Sequence, residues 1–210
     1  RLGNDLIERG IYTYHLLFTH AHWDHILGLA FFRPLQFSRV SIHIQERVFS
    51  DKTSREIFNE VLKQPFFPIT MRDLKAALNF DDQLNGTFRI GSISIESIAT
   101  SHPGKGVGYR FSEGGKSFVF LTDNELGYRH TGGKSPEDYL EFAKGADLLV
   151  HDAEYTPDDY QRNITWGHST YVEVLDLAIK AKVKRLGLFH HNQNRTDEQI
   201  DAMVRECKNS

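Results

Sequence analysis

Within six residues, His20-Ala21-His22-Trp23-Asp24-His25, this chain places three imidazoles and a carboxylate. They directly follow the apolar run Tyr14-His15-Leu16-Leu17-Phe18-Thr19, which reads as a strand. Ligand-type side chains at a strand end are held on rigid scaffold, as a metal site requires. Imidazole suits zinc, iron and manganese, and a carboxylate adds a harder oxygen donor. The chain has 11 His in 210 residues, so some clustering is expected by chance. Three His and one Asp in six positions is far denser than that background, and it constrains the fold to one in which a strand end meets other ligands.

Those other ligands stand at the ends of later apolar runs. His102 follows Ile93–Ile98, Asp123 follows Phe118–Leu121, and His190 and His191 follow Leu186–Phe189. Any one alone reads more simply as a surface or hydrogen-bonded core residue; together they are enough for two metal ions.

Strand-like runs are Tyr14–Thr19, Val40–Ile44, Phe88–Ile90, Ser92–Ile98, Gly108–Phe111, Ser117–Leu121, Asp147–His151 and Arg185–Phe189, several alternating apolar and polar residues. Glu113-Gly114-Gly115-Lys116 between two of them reads as a hairpin turn. Helical patterns cover Asp24–Phe32, Ser54–Leu62, Thr70–Leu78, Pro136–Ala143, Thr170–Ala181 and Asp197–Cys207. Thr196 and Asp197 offer cap chemistry for the last of these. Strands with interspersed helices, then strand-helix-strand-helix, suit a layered α/β protein.

At 210 residues the chain reads as a single domain, 1–210, with no internal repeat or linker. The net charge of −3 argues against a large nucleic-acid footprint. No run of about 18 apolar residues is present, so no membrane span is expected. The lone cysteine, Cys207, has no internal disulfide partner, which suits a reducing, cytoplasmic setting.

The order His20-x-His22-x-Asp24-His25, then His102, Asp123 and His190, resembles the metallo-β-lactamase superfamily from about Tyr14 to Thr196. The resemblance implies a four-layer αββα sandwich with a dinuclear site at the sheet edges. In that arrangement His20, His22 and His102 bind one divalent ion, Asp24, His25 and His190 bind the second, and Asp123 bridges them. Zinc is the expected metal, with manganese and iron compatible with the same donors. The family fold usually has further strands before the His-rich segment, so part of the first sheet is expected to be absent from this chain.

Further residues narrow the branch. His151-Asp152-Ala153-Glu154-Tyr155-Thr156 and Gly167-His168-Ser169-Thr170 resemble the phosphodiesterase side of the superfamily, which includes ribonuclease Z. There, residues matching Glu154 and His168 form a pair beside the metals. Diiron redox members typically carry Glu where this chain has His22, which disfavours an oxygen reductase. Ribonuclease Z carries a long tRNA-grasping arm between its third His ligand and its bridging Asp, but only 20 residues separate His102 from Asp123 here. The resemblance therefore points to an armless enzyme of cyclic nucleotides or other small phosphodiesters, and homodimerisation is a further expectation.

The chemistry agrees with that reading. Phosphodiester hydrolysis needs a nucleophile, charge neutralisation and a proton for the leaving oxygen. Two metals supply the first two by activating a hydroxide and clamping phosphoryl oxygens. Asp24 binds metal and can orient the nucleophile. His168, held protonated by Glu154, is the expected general acid. Rival readings are an ester, thioester or lactone hydrolase on the same metals, and a non-catalytic metal-binding sensor module.

Other residues receive plainer readings. His15, His43 and His130 are expected to be structural, and His151 to support a ligand. Lys105 and Arg110 could meet phosphate oxygens. Phe66 and Phe67 are expected to pack back onto the core rather than form a substrate wall. Gly115-Lys116-Ser117 and Gly133-Lys134-Ser135 lack the upstream glycine of a phosphate loop and read as turns.

Overall fold

Alternating side chains on parallel strands organise the first third of the chain. The computed structural model of the protein describes residues 1–81 and 86–209. Two compact units are present, Arg1–Leu84 and Asn85–Ser210.

The first unit is built on a parallel sheet of β1 (Thr13–Leu16), β2 (Ser41–Gln45) and β5 (Ala77–Asp81), in the order β1-β2-β5. Between them lie α2 (Trp23–Ala30), the short pair β3 (Val48–Phe49) and β4 (Lys52–Thr53), and α3 (Ser54–Val61). Period-two alternation sends Tyr14, Ile42 and Ile44 into a core with Leu29 of α2 and Phe58 of α3. Thr53 caps α3 through a reciprocal capping box with Glu56.

Thr70–Leu78, expected to be helical, is not a helix. Thr70 and Asp73 close a capping box over one short turn, Met71–Asp73, and the chain then enters β5. Ala77-Leu78-Asn79-Phe80-Asp81 alternates with period two and finds β2 as its partner, so tertiary pairing overrides a helical pattern. A short helix α1 (Leu2–Glu8), not among the helical patterns expected above, precedes β1.

Phe66 and Phe67 also differ from expectation. Phe66 is 67% exposed, its ring 6.3 Å from that of Trp23, and half-buried Phe67 lies edge-on to Phe31. The helix α2 offers these rings aromatic neighbours on its outer face, so they need not enter the core.

The second unit holds a six-stranded mixed sheet, ordered β11-β10-β9-β8-β7-β6. Its strands are β6 (Phe88–Ile90), β7 (Ile93–Thr100), β8 (Gly106–Glu113), β9 (Lys116–Leu121), β10 (Leu148–Asp152) and β11 (Leu186–Phe189). β6 to β9 are antiparallel; β9, β10 and β11 are parallel. The β8–β9 hairpin turns through Gly114 and Gly115, both at positive φ, as tight hairpin turns demand.

Helices α4 (Pro136–Ala143) and α6 (Tyr171–Lys180) pack on this sheet. Val119, Leu121 and Leu149 of the sheet meet Tyr139, Leu177 and Ala178 in one core. Ser135 and Thr170 cap the two helices with capping boxes. A short helix α5 (Pro157–Tyr160) and the terminal α7 (Asp197–Asn209) complete the unit. Among the described residues, no helix is long and apolar enough to cross a membrane.

Candidate metal centre

In the first unit, the His-rich segment is folded by the start of α2. His22 is its N-cap, in extended conformation, and Asp24 and His25 lie in the first turn. A carboxylate there is favoured by the positive end of the helix dipole. The turn gathers the rings: His20 lies 4.6 Å from His22 and 4.2 Å from His25, centroid to centroid. Asp24 Oδ2 is 3.1 Å from His25 Nε2. His20 is buried and its Nδ1 contacts Thr19 Oγ1 at 3.2 Å.

In the second unit, ligand-type residues come from separate strand ends. His102 follows β7, Asp123 follows β9, and His190 follows β11. Asp123 Oδ2 lies 3.7 Å from His102 Nε2 and 3.7 Å from His190 Nε2. Asp123 and His190 both take positive φ, 53° and 52°. Left-handed backbone at a non-glycine residue costs on the order of 1–2 kcal/mol, and surrounding structure must impose it.

Part of that imposition is visible. The Asp123 Oδ1 accepts from Thr122 Oγ1 at 2.6 Å. The next residue, Asn124, accepts from the Ser101 amide at 2.8 Å and contacts His151 Nε2 at 3.1 Å. His151 thus braces the loops that carry His102 and Asp123.

A second layer of carboxylates surrounds His168. Its Nδ1 lies 3.5 Å from Asp152 Oδ2 and its Nε2 3.5 Å from Glu154 Oε2, and the ring stacks on His190 at 4.8 Å. Glu154 Oε2 is also 3.3 Å from His190 Nδ1, and its Oε1 accepts from Asn192 at 3.2 Å. Burial works to lower the His168 pKa, but the carboxylates of Asp152, Glu154 and Asp123 outweigh it and hold the imidazole above its ordinary value. Burial pushes Glu154 up, and the hydrogen bond and charges of His190 and His168 more than offset it, leaving the carboxyl below its usual range.

Glu125 and Asp152 carry much of this arrangement, and neither was singled out in the sequence. Fully buried Glu125 accepts from Tyr160 Oη at 2.7 Å, the Thr165 amide at 2.8 Å, the Gly167 amide at 2.8 Å and His130 Nε2 at 2.7 Å. It shapes the loop that leads to His168. Asp152 accepts from the Asn124 and Ser169 amides at 2.8 and 3.0 Å. Its only signal was its place at a strand end beside Glu154. Glu125 follows Asp123-Asn124 with no pattern to mark it.

Arg110, expected near phosphate, is occupied elsewhere. Its guanidinium donates to the Phe142 and Lys144 carbonyls and to Ser117 Oγ. It ties β8 to the end of α4, because those carbonyls lie within its reach. Thr170 caps α6, and Ser169 beside it donates to the Asn124 carbonyl.

These residues fit a divalent cation. The Gly167 carbonyl can only accept, so His102 donates to it from Nδ1, at 3.0 Å, and keeps the Nε2 lone pair facing Asp123. The two 3.7 Å spacings exceed hydrogen-bonding reach and approach the roughly 3.3 Å edge of a tetrahedron of nitrogen and oxygen donors at about 2.0–2.2 Å from zinc. Asp123, His168 and His190 present donor atoms within 4.8 Å of one another. The 20-residue stretch between His102 and Asp123 is filled by the β8–β9 hairpin.

Comparisons with known proteins bear on the family and the fold. The chain is 25% identical over 228 aligned positions to a ribonuclease Z of Sulfurisphaera tokodaii, covering 89% of this chain and 72% of that one. Its fold resembles the metallo-beta-lactamase fold protein YhfI from Bacillus subtilis, with TM-score 0.65 and 20% identity, over 93% of this chain and 70% of that one. It likewise resembles a diphosphatase from the PhnP family, with TM-score 0.65 and 22% identity, over 95% and 69% of the two chains. The expected metallo-β-lactamase fold is therefore the observed one. With residues 14–191 matching the family described as beta-lactamase superfamily domain, the chain belongs to that family and is a hydrolase of the metallo-β-lactamase superfamily.

Proposed function

We propose that this protein is a phosphodiesterase of cyclic nucleotides or other small phosphodiesters, dependent on two divalent metal ions. The observation that carries the reading is His168, set between Glu154 and Asp152 and stacked on His190. A phosphodiester needs a proton at its leaving oxygen, and a histidine backed by two carboxylates is suited to give one. The relative named ribonuclease Z and the neighbour described as a diphosphatase support phosphoryl chemistry.

The same reading keeps residues 1–210 as a single domain. His20, His22 and His102 would hold one ion, Asp24, His25 and His190 would hold the other, and Asp123 would be a ligand available to both. Zinc is the assigned ion, and a cytoplasmic setting belongs to the same reading. Bound there, the pair of cations supplies an activated water and neutralises phosphoryl charge. Asp24 would orient the attacking water with its carboxylate. His168 protonates the leaving oxygen, and Glu154 holds its ring in place.

The test uses the metal-loaded chain with bis-p-nitrophenyl phosphate and cyclic AMP, with and without chelator. Turnover abolished by chelator and restored by Zn²⁺ is the expected result. His168→Ala should lower turnover by about 10²–10⁴-fold while metal content holds. Loss of metal in that variant would make His168 structural. Hydrolysis of carboxylic esters or lactones, with none of diesters, would move the site to that chemistry.

A further inference from the structure

We propose that His15, His43 and Asp81 form a second divalent-cation site, on the sheet of the first unit and separate from the ligands assigned above. Parallel register sets His15 directly beside His43, and β5 pairs with β2 such that Asp81 lies diagonal to His43. Alternation puts Tyr14, Ile42 and Ile44 in the core, so His15 and His43 share the opposite face. The two imidazoles stack at 4.9 Å with planes 23° apart. His43 Nδ1 lies 3.3 Å from Asp81 Oδ1. One donor atom from each of the three residues lies within 4.8 Å of the others.

Two imidazoles and a carboxylate are a donor set for zinc or a similar transition-metal ion, with a position left for water. Co-ligands on zinc stand roughly 3.3 Å apart, the His43–Asp81 spacing is already 3.3 Å, and His15 is exposed. The structural role first read for His15 and His43 leaves this juxtaposition unexplained: two stacked imidazoles facing one carboxylate exceed what a single ion pair needs. A cation there would tie β1, β2 and β5 together.

The experiment titrates the metal-free full chain with Zn²⁺ and measures metal retained per chain in wild type, His43→Asn and Asp81→Asn. Each variant should retain one equivalent less than wild type, with an unchanged circular dichroism spectrum. Equal retention in all three overturns the site. Imidazole nitrogen signals of wild type supply a readout independent of variant folding. Those of His15 and His43 should move together on Zn²⁺ addition; movement of neither, or of one alone, overturns the proposal. His102→Ala and His190→Ala should leave this response intact, which separates it from the proposed catalytic centre.

Discussion

The two units build their candidate ligands in opposite ways. In the first, His20, His22, Asp24 and His25 lie within six consecutive residues that lead into the first turn of α2, and Asp24 is 62% exposed on its side chain. In the second, His102, Asp123, Glu154, His168 and His190 come from separate strand ends and loops. Asn124, Glu125, His151 and Asp152 brace them from within, and all four are fully buried. A local cluster takes its geometry from the chain itself. A dispersed one takes it from buried polar groups whose loss costs stability. Activity and stability should therefore separate in the first unit and fall together in the second.

The strongest way to break this contrast is to remove one carboxylate from each unit. Asp24→Ala should bring diester turnover to background with an unchanged urea midpoint. Asp123→Ala should bring turnover to background and lower the urea midpoint as well. A large loss of stability in the Asp24 variant would mean that the first segment is as braced as the second.

Glu125→Ala should come next, at about 3–5 kcal/mol of destabilisation, because four donors lose one fully buried acceptor group. Urea unfolding measures it, and Glu125→Gln should recover part of the loss. Gly167→Ala is a more local probe. Gly167 has φ +94°, and an added Cβ would stand 2.1 Å from His102 Nδ1. The displaced imidazole should weaken metal binding by about 10–100-fold, read by competition with a chelating dye.

The smallest effect is expected from Asp147, away from the ligands. Lys184, the Ser117 amide and Lys116 hold its carboxyl far below the usual range. A depressed carboxylate contributes stability above its unfolded pKa and loses it as pH falls through the folded one. Asp147→Asn should thus flatten the acid side of the stability profile and leave neutral turnover unchanged.

Legibility in the sequence followed the same division. The hairpin at Gly114-Gly115, the helix at Pro136 and the helix from Thr170 were readable, since each depends on residues within a few positions. The stretch Thr70–Leu78 misled because its cap signal was real and its helix was not: Thr70 and Asp73 close one turn, and β2 then claims the chain. Arg110 looked available to a phosphate only because the carbonyls of Phe142 and Lys144, over 30 residues away, were invisible to a linear reading.

Residue types alone determined which donors this protein offers, in what order, and that they fall at strand ends. That much is local, because a strand's period and a cap's hydrogen bonds are short-range. Tertiary structure decided the rest. It turned the backbone at His190 so that this histidine faces Asp123, and it brought the Thr165 and Gly167 amides to Glu125 across 40 and 42 residues. A buried carboxylate must find its donors wherever the folded chain brings them, and no spacing rule announces that distance beforehand.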